Sequence, residues 1–446
     1  FRAVLEAQGR LLGAEHPDFL RTRRNLAVVL EAKLDYDTAE AEYRAVLDAW
    51  GRLLGAEQNL RIDYRTGGHS SGPPPEQVSR ADRQRNLDWM DLAFGRGLAK
   101  RSDFPEELIH EFDWKQWRAQ QDDASLAIAG DSPAIERVKW ALGQAPKTLA
   151  PVDQEEFLTD AESSLMTHDR WTPRGVHRVP IHFGHGVRGN LYFKDGAPTP
   201  MPVVVWLHPL SYHSGYNEGY GVQGTTVYQR LAENGFAVIA YDQCGFGLRL
   251  LEGRDFYKNH PRWSKLGRMV MDARAAVSFA VEERGAAKSA IPEFDTKRVF
   301  LLGYSSGALS AMYAGALDDR IAGVACFSGW TPLRDTRNAK VTGGNRRLWE
   351  LHALQPRLGL FDGRESEMPF DYDDVLGLVL PKPCLVVTPK RDRYADFSAV
   401  VEVIDKVRSA KPRIAKGSFA WLAPDDTNRF QADQHQEFIN WTKTLE

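Results

Sequence analysis

Residues 298–307 read Arg-Val-Phe-Leu-Leu-Gly-Tyr-Ser-Ser-Gly, and Ala308-Leu-Ser-Ala-Met-Tyr-Ala-Gly-Ala316 follows. A short apolar run ends in Gly303-Tyr304-Ser305-Ser306-Gly307 and gives way to small and apolar residues with helical character. The pattern predicts a buried strand, a sharp turn and a helix, with the Ser305 hydroxyl presented at the turn. Glycines on both sides let the strand and helix backbones approach closely. Alone, the five residues also fit an ordinary turn with a helix-capping serine. The strand before them and the helix after them are what point to a nucleophile.

Outward from this turn, strands and helices alternate from about residue 170. Val176–Phe183 and Gly186–Phe193 predict an antiparallel pair, and Met201–His208 a buried strand. Thr225–Asn234 predicts a helix and Phe236–Asp242 the next strand. A long helix is expected over Lys265–Arg284, then the Val299–Leu302 strand. Ile321–Phe327, Pro383–Thr388 and Ser418–Leu422 complete the strands, with helices over Phe397–Val407 and Gln434–Leu445. The fold class is α/β, a mostly parallel sheet flanked by helices, in the order of an α/β-hydrolase over residues 166–446. Residues 330–380 are too long for a plain connection and predict a lid or cap carrying Trp330, Trp349, His352 and Phe361.

The N-terminal region reads differently. Residues 1–15 recur at 43–57 with 12 of 15 positions identical, too close a match for chance. The intervening apolar residues keep helical spacing. Residues 1–58 resemble tetratricopeptide repeats of the kinesin light chain type, with His16-Pro17-Asp18 between helices. One and a half repeats cannot bury their own apolar face. The segment is therefore a docking surface for a protein partner, or a leftover array end that packs on the rest of the chain. Residues 59–77, with Gly72-Pro-Pro-Pro75, read as a linker. Residues 78–165 predict an all-α, tryptophan-rich extension packed on the catalytic domain.

Bulk properties exclude several classes. A formal net charge of −3 gives no reason to expect nucleic acid as a partner. No apolar run reaches the length of a membrane span. Cys244, Cys326 and Cys384 are odd in number and far apart, which predicts small buried hydrophobes and a cytoplasmic protein.

A serine hydroxyl becomes a good nucleophile when a base removes its proton, and an acid orients that base. The expected chain order is Ser, Asp or Glu, then His. After Ser305 come two histidines, His352 in the insertion and His435 beyond the last strand. The acid is expected at Asp392, after the Cys384–Thr388 strand, with Asp396 and Asp335 as alternatives. His435 is the candidate base, although it falls later than usual; Asn428 occupies the usual neighbourhood. Oxyanion donors are expected from the amides of Ser306 and Leu210, since Pro209 has no N–H. His208, Tyr212, His213, Tyr304 and Trp330 are candidate pocket residues. Gly215–Gly224 lacks the Lys-Ser/Thr end of a phosphate loop. His182 and His185 lack further ligands, so no metal is expected.

With these residues placed, about 165–446 resemble the α/β-hydrolase superfamily, and within it dienelactone hydrolase-like and acetylxylan esterase-like proteins. Tyr241-Asp-Gln-Cys-Gly-Phe-Gly247, Gly303–Gly307 with Leu317–Val324, and Arg347–Gly359 carry the resemblance. It implies cofactor-free cleavage of a small-molecule or carbohydrate ester through an acyl-enzyme. A decayed hydrolase serving as a scaffold, and a serine peptidase, are the alternatives.

Overall fold

Met201-Pro-Val-Val-Val-Trp-Leu207 carries no charged or hydrogen-bonding side chain except the indole, so as a strand it needs cover on both faces. A computed structural model shows that cover. It describes residues 112–129, 131–152, 174–211, 215–216, 225–283, 291–335, 346–392, 394–410 and 418–445, with Arg23, Leu26 and Ala45 as isolated helical positions. The expected repeat, the linker, and the extension up to 111 and over 153–165 otherwise lie outside the described residues. The chain divides into two compact units, Phe1–Ile109 and His110–Glu446, and the second holds the sheet.

Its strands are β1 Val176–Phe183, β2 Val187–Lys194, β3 Met201–Leu207, β4 Ala237–Tyr241, β5 Phe294–Tyr304, β6 Gly323–Phe327, β7 Cys384–Val387 and β8 Phe419–Leu422. They lie in the order β1-β2-β4-β3-β5-β6-β7-β8. β1 and β2 pair antiparallel, as does β2 with β4; from β4 to β8 every pairing is parallel. This is the α/β-hydrolase fold. The helices that cover it are α1 Trp114–Ala119, α2 Ala134–Leu142, α3 Val227–Glu233, α4 Lys265–Ser278, α5 Ser306–Leu317, α6 Tyr372–Val379, α7 Phe397–Ala410 and α8 Ala432–Lys443.

Strand alternation divides the core into two layers. Val203, Val205 and Leu207 share one face with Met269, Ala273 and Val277 of α4 and with α5. Val204 and Trp206 share the other with Val227 and Leu231 of α3 and Phe438 and Ile439 of α8. Every residue of α5 from Ser306 to Ala316 is buried, which explains why its sequence has no polar stripe. α6, at the end of the 330–380 stretch, packs on α5. The tryptophans of α1 and α2 dock on the preceding part of that stretch: Trp114 lies 5.6 Å from Trp349 and Trp140 lies 6.1 Å from Phe361, ring to ring. Arg357 donates to the Trp140 carbonyl at 2.6 Å. Cys244, Cys326 and Cys384 are free and buried.

Buried polar groups fix the loops above the sheet. Asp242, at the end of β4, accepts N–H bonds from Tyr216 and Leu248, each at 2.8 Å. Gly215 and Gly247 have φ of 56° and 54°, and a Cβ on either would overlap the Asp242 carboxylate. Burial pushes the Asp242 carboxyl up to about 6 against the pull of those two N–H donors. Replacing Asp242 with Ala orphans both donors. Each orphaned group costs roughly 1–3 kcal/mol, so urea unfolding should show D242A destabilised by at least the lower figure. Unchanged stability would mean that these loops are held by other contacts.

Candidate active site

β5 ends at Tyr304, α5 begins at Ser306, and Ser305 between them has φ 54° and ψ −119°. An L-residue held there carries about 1–3 kcal/mol of strain, which the surroundings must enforce. Its N–H donates to the Phe327 carbonyl at 2.9 Å, and its carbonyl accepts from Ala308 N–H at 3.0 Å. Three glycines make room. A Cβ on Gly303 would overlap the Gly307 carbonyl, one on Gly307 the Leu207 carbonyl, and one on Gly329 the Ser305 backbone. Ser305 stays partly exposed while Ser306 is buried. The Ser306 amide heads α5, whose N-terminus carries partial positive charge. Leu210 follows the end of β3, the strand whose last carbonyl faces Gly307.

Pairing of β7 with β8 continues beyond both strands. Thr388 N–H donates to Leu422, Lys390 to Pro424 and Arg391 to Asp426, each at 2.9 Å. This zipper delivers Asp392 and Asn428 to one place, at 6% and 9% exposure. Asn428 Nδ2 donates to both carboxylate oxygens of Asp392, at 3.2 and 3.1 Å. Tyr394 N–H donates to Oδ1 at 2.9 Å. An ionised carboxylate only accepts, so the amide nitrogen must face it and Asn428 Oδ1 must face away. That oxygen is buried and has no hydrogen-bond partner among the described residues.

The structure does not bring His435 to this pair. His435 lies in the first turn of α8, and His435, Phe438, Ile439 and Thr442 form one buried stripe at helical spacing. Phe430 intervenes. It stacks on Trp206 at 5.3 Å and Tyr304 at 5.2 Å, meets Phe327 at 4.9 Å, and packs on the imidazole of His435 at 4.7 Å. Among the described residues neither ring nitrogen of His435 has a hydrogen-bond partner. Burial, assisted by Arg230, pushes the imidazole down to about 3, so it is neutral at pH 7.

The other expected residues divide similarly. His208 is 1% exposed, and both its nitrogens are engaged. Nε2 accepts from Gln243 N–H at 3.0 Å, so Nδ1 carries the proton and donates to the Pro209 carbonyl at 2.7 Å. Burial lowers its pKa to about 4. Trp330 is 2% exposed and packs on Tyr372 at 4.9 Å, so it belongs to the core. Tyr304 is partly exposed. Tyr212 and His213 lie outside the described residues. Asp396 accepts from Ala399 N–H at 3.1 Å and caps α7.

Two neighbours were not singled out by the sequence reading. Gly329 has φ 90° and lies against the Ser305 backbone; its signal is Ser328-Gly-Trp330 directly after β6. Arg347 is 7% exposed, donates to the Gly329 carbonyl at 3.3 Å and lies 4.8 Å over the Tyr394 ring. Arg347 joins the elbow side to the acid loop, and no local sequence signal gives that contact. Among the described residues no group of three or more His, Cys, Asp or Glu could hold a metal, and no helix is long and apolar enough to cross a membrane.

A strained serine at the carboxyl end of a central parallel strand, with a buried acid on a neighbouring loop, defines the hydrolase class of α/β proteins. In keeping with this, a family profile described as serine aminopeptidase S33 matches residues 203–378, from β3 to α6. That match includes Ser305 and stops short of Asp392 and Asn428. Similar solved structures include a glucuronoyl esterase from Solibacter usitatus, at 16% identity over 74% of this chain and 94% of that one, TM-score 0.46. Another is a glucuronoyl esterase from Teredinibacter turnerae, at 14% identity over 75% and 86%, TM-score 0.47. A third is an esterase from Pyrococcus furiosus, at 17% identity over 60% and 92%, TM-score 0.37. A search of curated proteins finds no match.

The buried imidazoles set an acid sensitivity. His435 is held neutral down to about pH 3, whereas an unfolded histidine protonates near 6.5. The native state therefore binds fewer protons below pH 6.5, and stability falls as pH drops, by about 1.4 kcal/mol per unit for one group. His208 acts in the same direction. His435→Phe, which keeps the contact with Phe430, should flatten the loss between pH 6 and 4 by about one proton's worth. Urea titrations across that range check it; an unchanged slope would mean His435 titrates normally in the fold.

Proposed function

We propose that the chain is a serine hydrolase of carboxylic esters, with Ser305 as nucleophile. The observation that carries this reading is the strained backbone of Ser305 (φ 54°) at the head of α5. Strain of that kind persists where the surroundings over-determine it, and it clusters at working sites. Ser305 Oγ attacks the ester carbonyl carbon, and the bond to the leaving group breaks to give an acyl-enzyme. Water then releases the acid. The amides of Ser306 and Leu210, aided by the α5 N-terminus, hold the developing oxyanion. Asp392 supplies the acid on the adjoining loop. For His435 to serve as base, its ring would have to leave Phe430 and reach the crest, because in its pocket it resists taking a proton.

Substrate class is open between simple esters and acetylated carbohydrate. Tyr304 is partly exposed with Phe430 stacked on it, while Trp330 is buried in the core. A second reading is a decayed hydrolase that holds a ligand or a protein. The observation favouring it is Asn428, a side chain that cannot take a proton, bonded to the acid. Nothing in the described geometry favours the peptidase alternative.

The test is hydrolysis of a p-nitrophenyl ester series from short to long acyl chains, with fluorophosphonate labelling, by the wild type, S305A and H435A. Wild-type turnover and a label on Ser305 are expected, both absent from S305A and both retained in H435A. Loss in H435A with the fold intact would make His435 the base. No turnover and no label in the wild type would overturn the hydrolase reading in favour of the second.

A further inference from the structure

The peptide bond between Pro209 and Leu210 is trans. In a planar trans peptide the carbonyl and the N–H point in opposite directions, so whatever fixes one fixes the other. Here the carbonyl is fixed. His208 Nδ1–H donates to the Pro209 oxygen at 2.7 Å, while Nε2 accepts from Gln243 N–H at 3.0 Å. Gln243 Nε2 also donates to the His208 carbonyl at 2.8 Å. We propose that His208 is a positioning residue that aims the Leu210 N–H at the ester oxyanion, and that Gln243 holds His208 in place to do so. The inference rests on Ser305 being the nucleophile and Leu210 an oxyanion donor.

The imidazole has little freedom. It is buried and meets Phe246 at 5.4 Å in a T-shaped contact. Burial keeps it neutral at pH 7, so Nε2 stays an acceptor and the proton stays on Nδ1. Gln243 follows a residue that is itself anchored. The Asp242 carbonyl accepts from Arg249 Nη1 at 3.0 Å, and the same nitrogen pairs with Asp272 of α4 at 2.8 Å. The segment is pinned downstream as well. Gly215 N–H donates to the Ser211 carbonyl at 2.9 Å, and Tyr216 N–H to the Asp242 carboxylate at 2.8 Å. The His208 oxygen held by Gln243 lies 2.7 Å from where a Cβ on Gly307 would stand. Gly307 directly follows Ser306, the other expected donor. Gln243 therefore sets the spacing between the two segments that carry the donors, and His208 sets the direction of one of them.

The consequence for catalysis is specific. Charge develops on the ester carbonyl oxygen in the transition state, and N–H groups already aimed there stabilise it. A misdirected Leu210 N–H weakens that stabilisation and leaves ground-state binding alone, so kcat falls and KM does not. The loss also depends on the acceptor. Oxygen accepts N–H bonds well and sulfur poorly. A thiono ester, with C=S in place of C=O, gains little from a well-aimed amide and loses little when the amide turns away.

The experiment compares an aryl ester with its thiono counterpart, using the wild type, H208A, H208N and Q243A. Rates are expressed per Ser305 labelled by fluorophosphonate at completion. In H208N the amide nitrogen takes the place of Nδ1 and restores a donor to the Pro209 carbonyl. The wild type should prefer the oxo ester. H208A should lower kcat on that ester by about 10–10²-fold with KM little changed, short of the roughly 10²–10³-fold that loss of a whole donor costs. The oxo-over-thiono preference should fall by the same factor, and H208N should recover most of both. Q243A should lose several-fold in each, and it decides the matter if H208A fails to fold by circular dichroism. A merely structural role would lower the yield of labelled enzyme and leave the preference per labelled site unchanged. That result in folded H208A, or in Q243A where H208A does not fold, overturns the proposal and leaves the hydrolase reading standing. So does an H208N no better than H208A. A wild type with neither turnover nor label overturns the hydrolase reading and the proposal with it.

Discussion

Ser305 can hold φ 54° only while three other backbones stay within touching distance of the turn. Gly303 and Gly307 bring strand and helix together, and Gly329 brings the end of β6 against the Ser305 carbonyl. None of these positions has room for a methyl group, so the turn fixes the spacing of β3, β5, β6 and α5 at their common edge. The sheet supplies the force. β5 sits between β3 and β6 with both faces buried, and α5 lies wholly in the core. Strain of about 1–3 kcal/mol at one residue is small against the apolar area those elements bury. It is sustained because relaxing it would separate the packed layers.

A second constraint operates at the far end of the same edge. The backbone bonds that continue past β7 and β8 determine which side chains meet beyond those two strands. They act whatever side chain stands at 428, since they join main-chain atoms of 388–391 to those of 422–426. The register therefore belongs to the fold. Arg347 adds a third tie, from the inserted segment to Gly329 and Tyr394. Loop, insertion and turn are thus joined by contacts independent of the side chain at 428.

The sheet was legible because parallel strands buried on both faces read as unbroken apolar runs, and each of those expected falls on an observed strand. The turn at Ser305 was legible because its glycines are demanded by sterics that depend only on local sequence. The place of His435 was not. Chain order selects the last histidine, and order says nothing about which side of a helix a residue faces. The signal that could have placed it lay in the spacing of His435, Phe438, Ile439 and Thr442, which marks a stripe facing the sheet. His208 misleads for a related reason: its position at the strand end is right for a pocket, and Gln243, 35 residues away, takes up one of its nitrogens. Long-range hydrogen bonds of that kind leave no local trace.

Burial is what separates these two imidazoles from a working base. A general base must accept a proton, and so needs either solvent or a counter-charge to stabilise the cation. His208 and His435 have their pKa lowered to about 4 and about 3 by desolvation. The carboxylate expected to reverse this, Asp392, accepts from Asn428 Nδ2 and Tyr394 N–H. In a relay ending in histidine, the acid earns its place by stabilising an imidazolium. Against Asn428, Asp392 fixes the orientation of the amide. By taking both bonds from Nδ2 it prevents the amide from flipping, because a flipped amide would set oxygen against oxygen. The Asn428 acceptor is then held facing away from the acid.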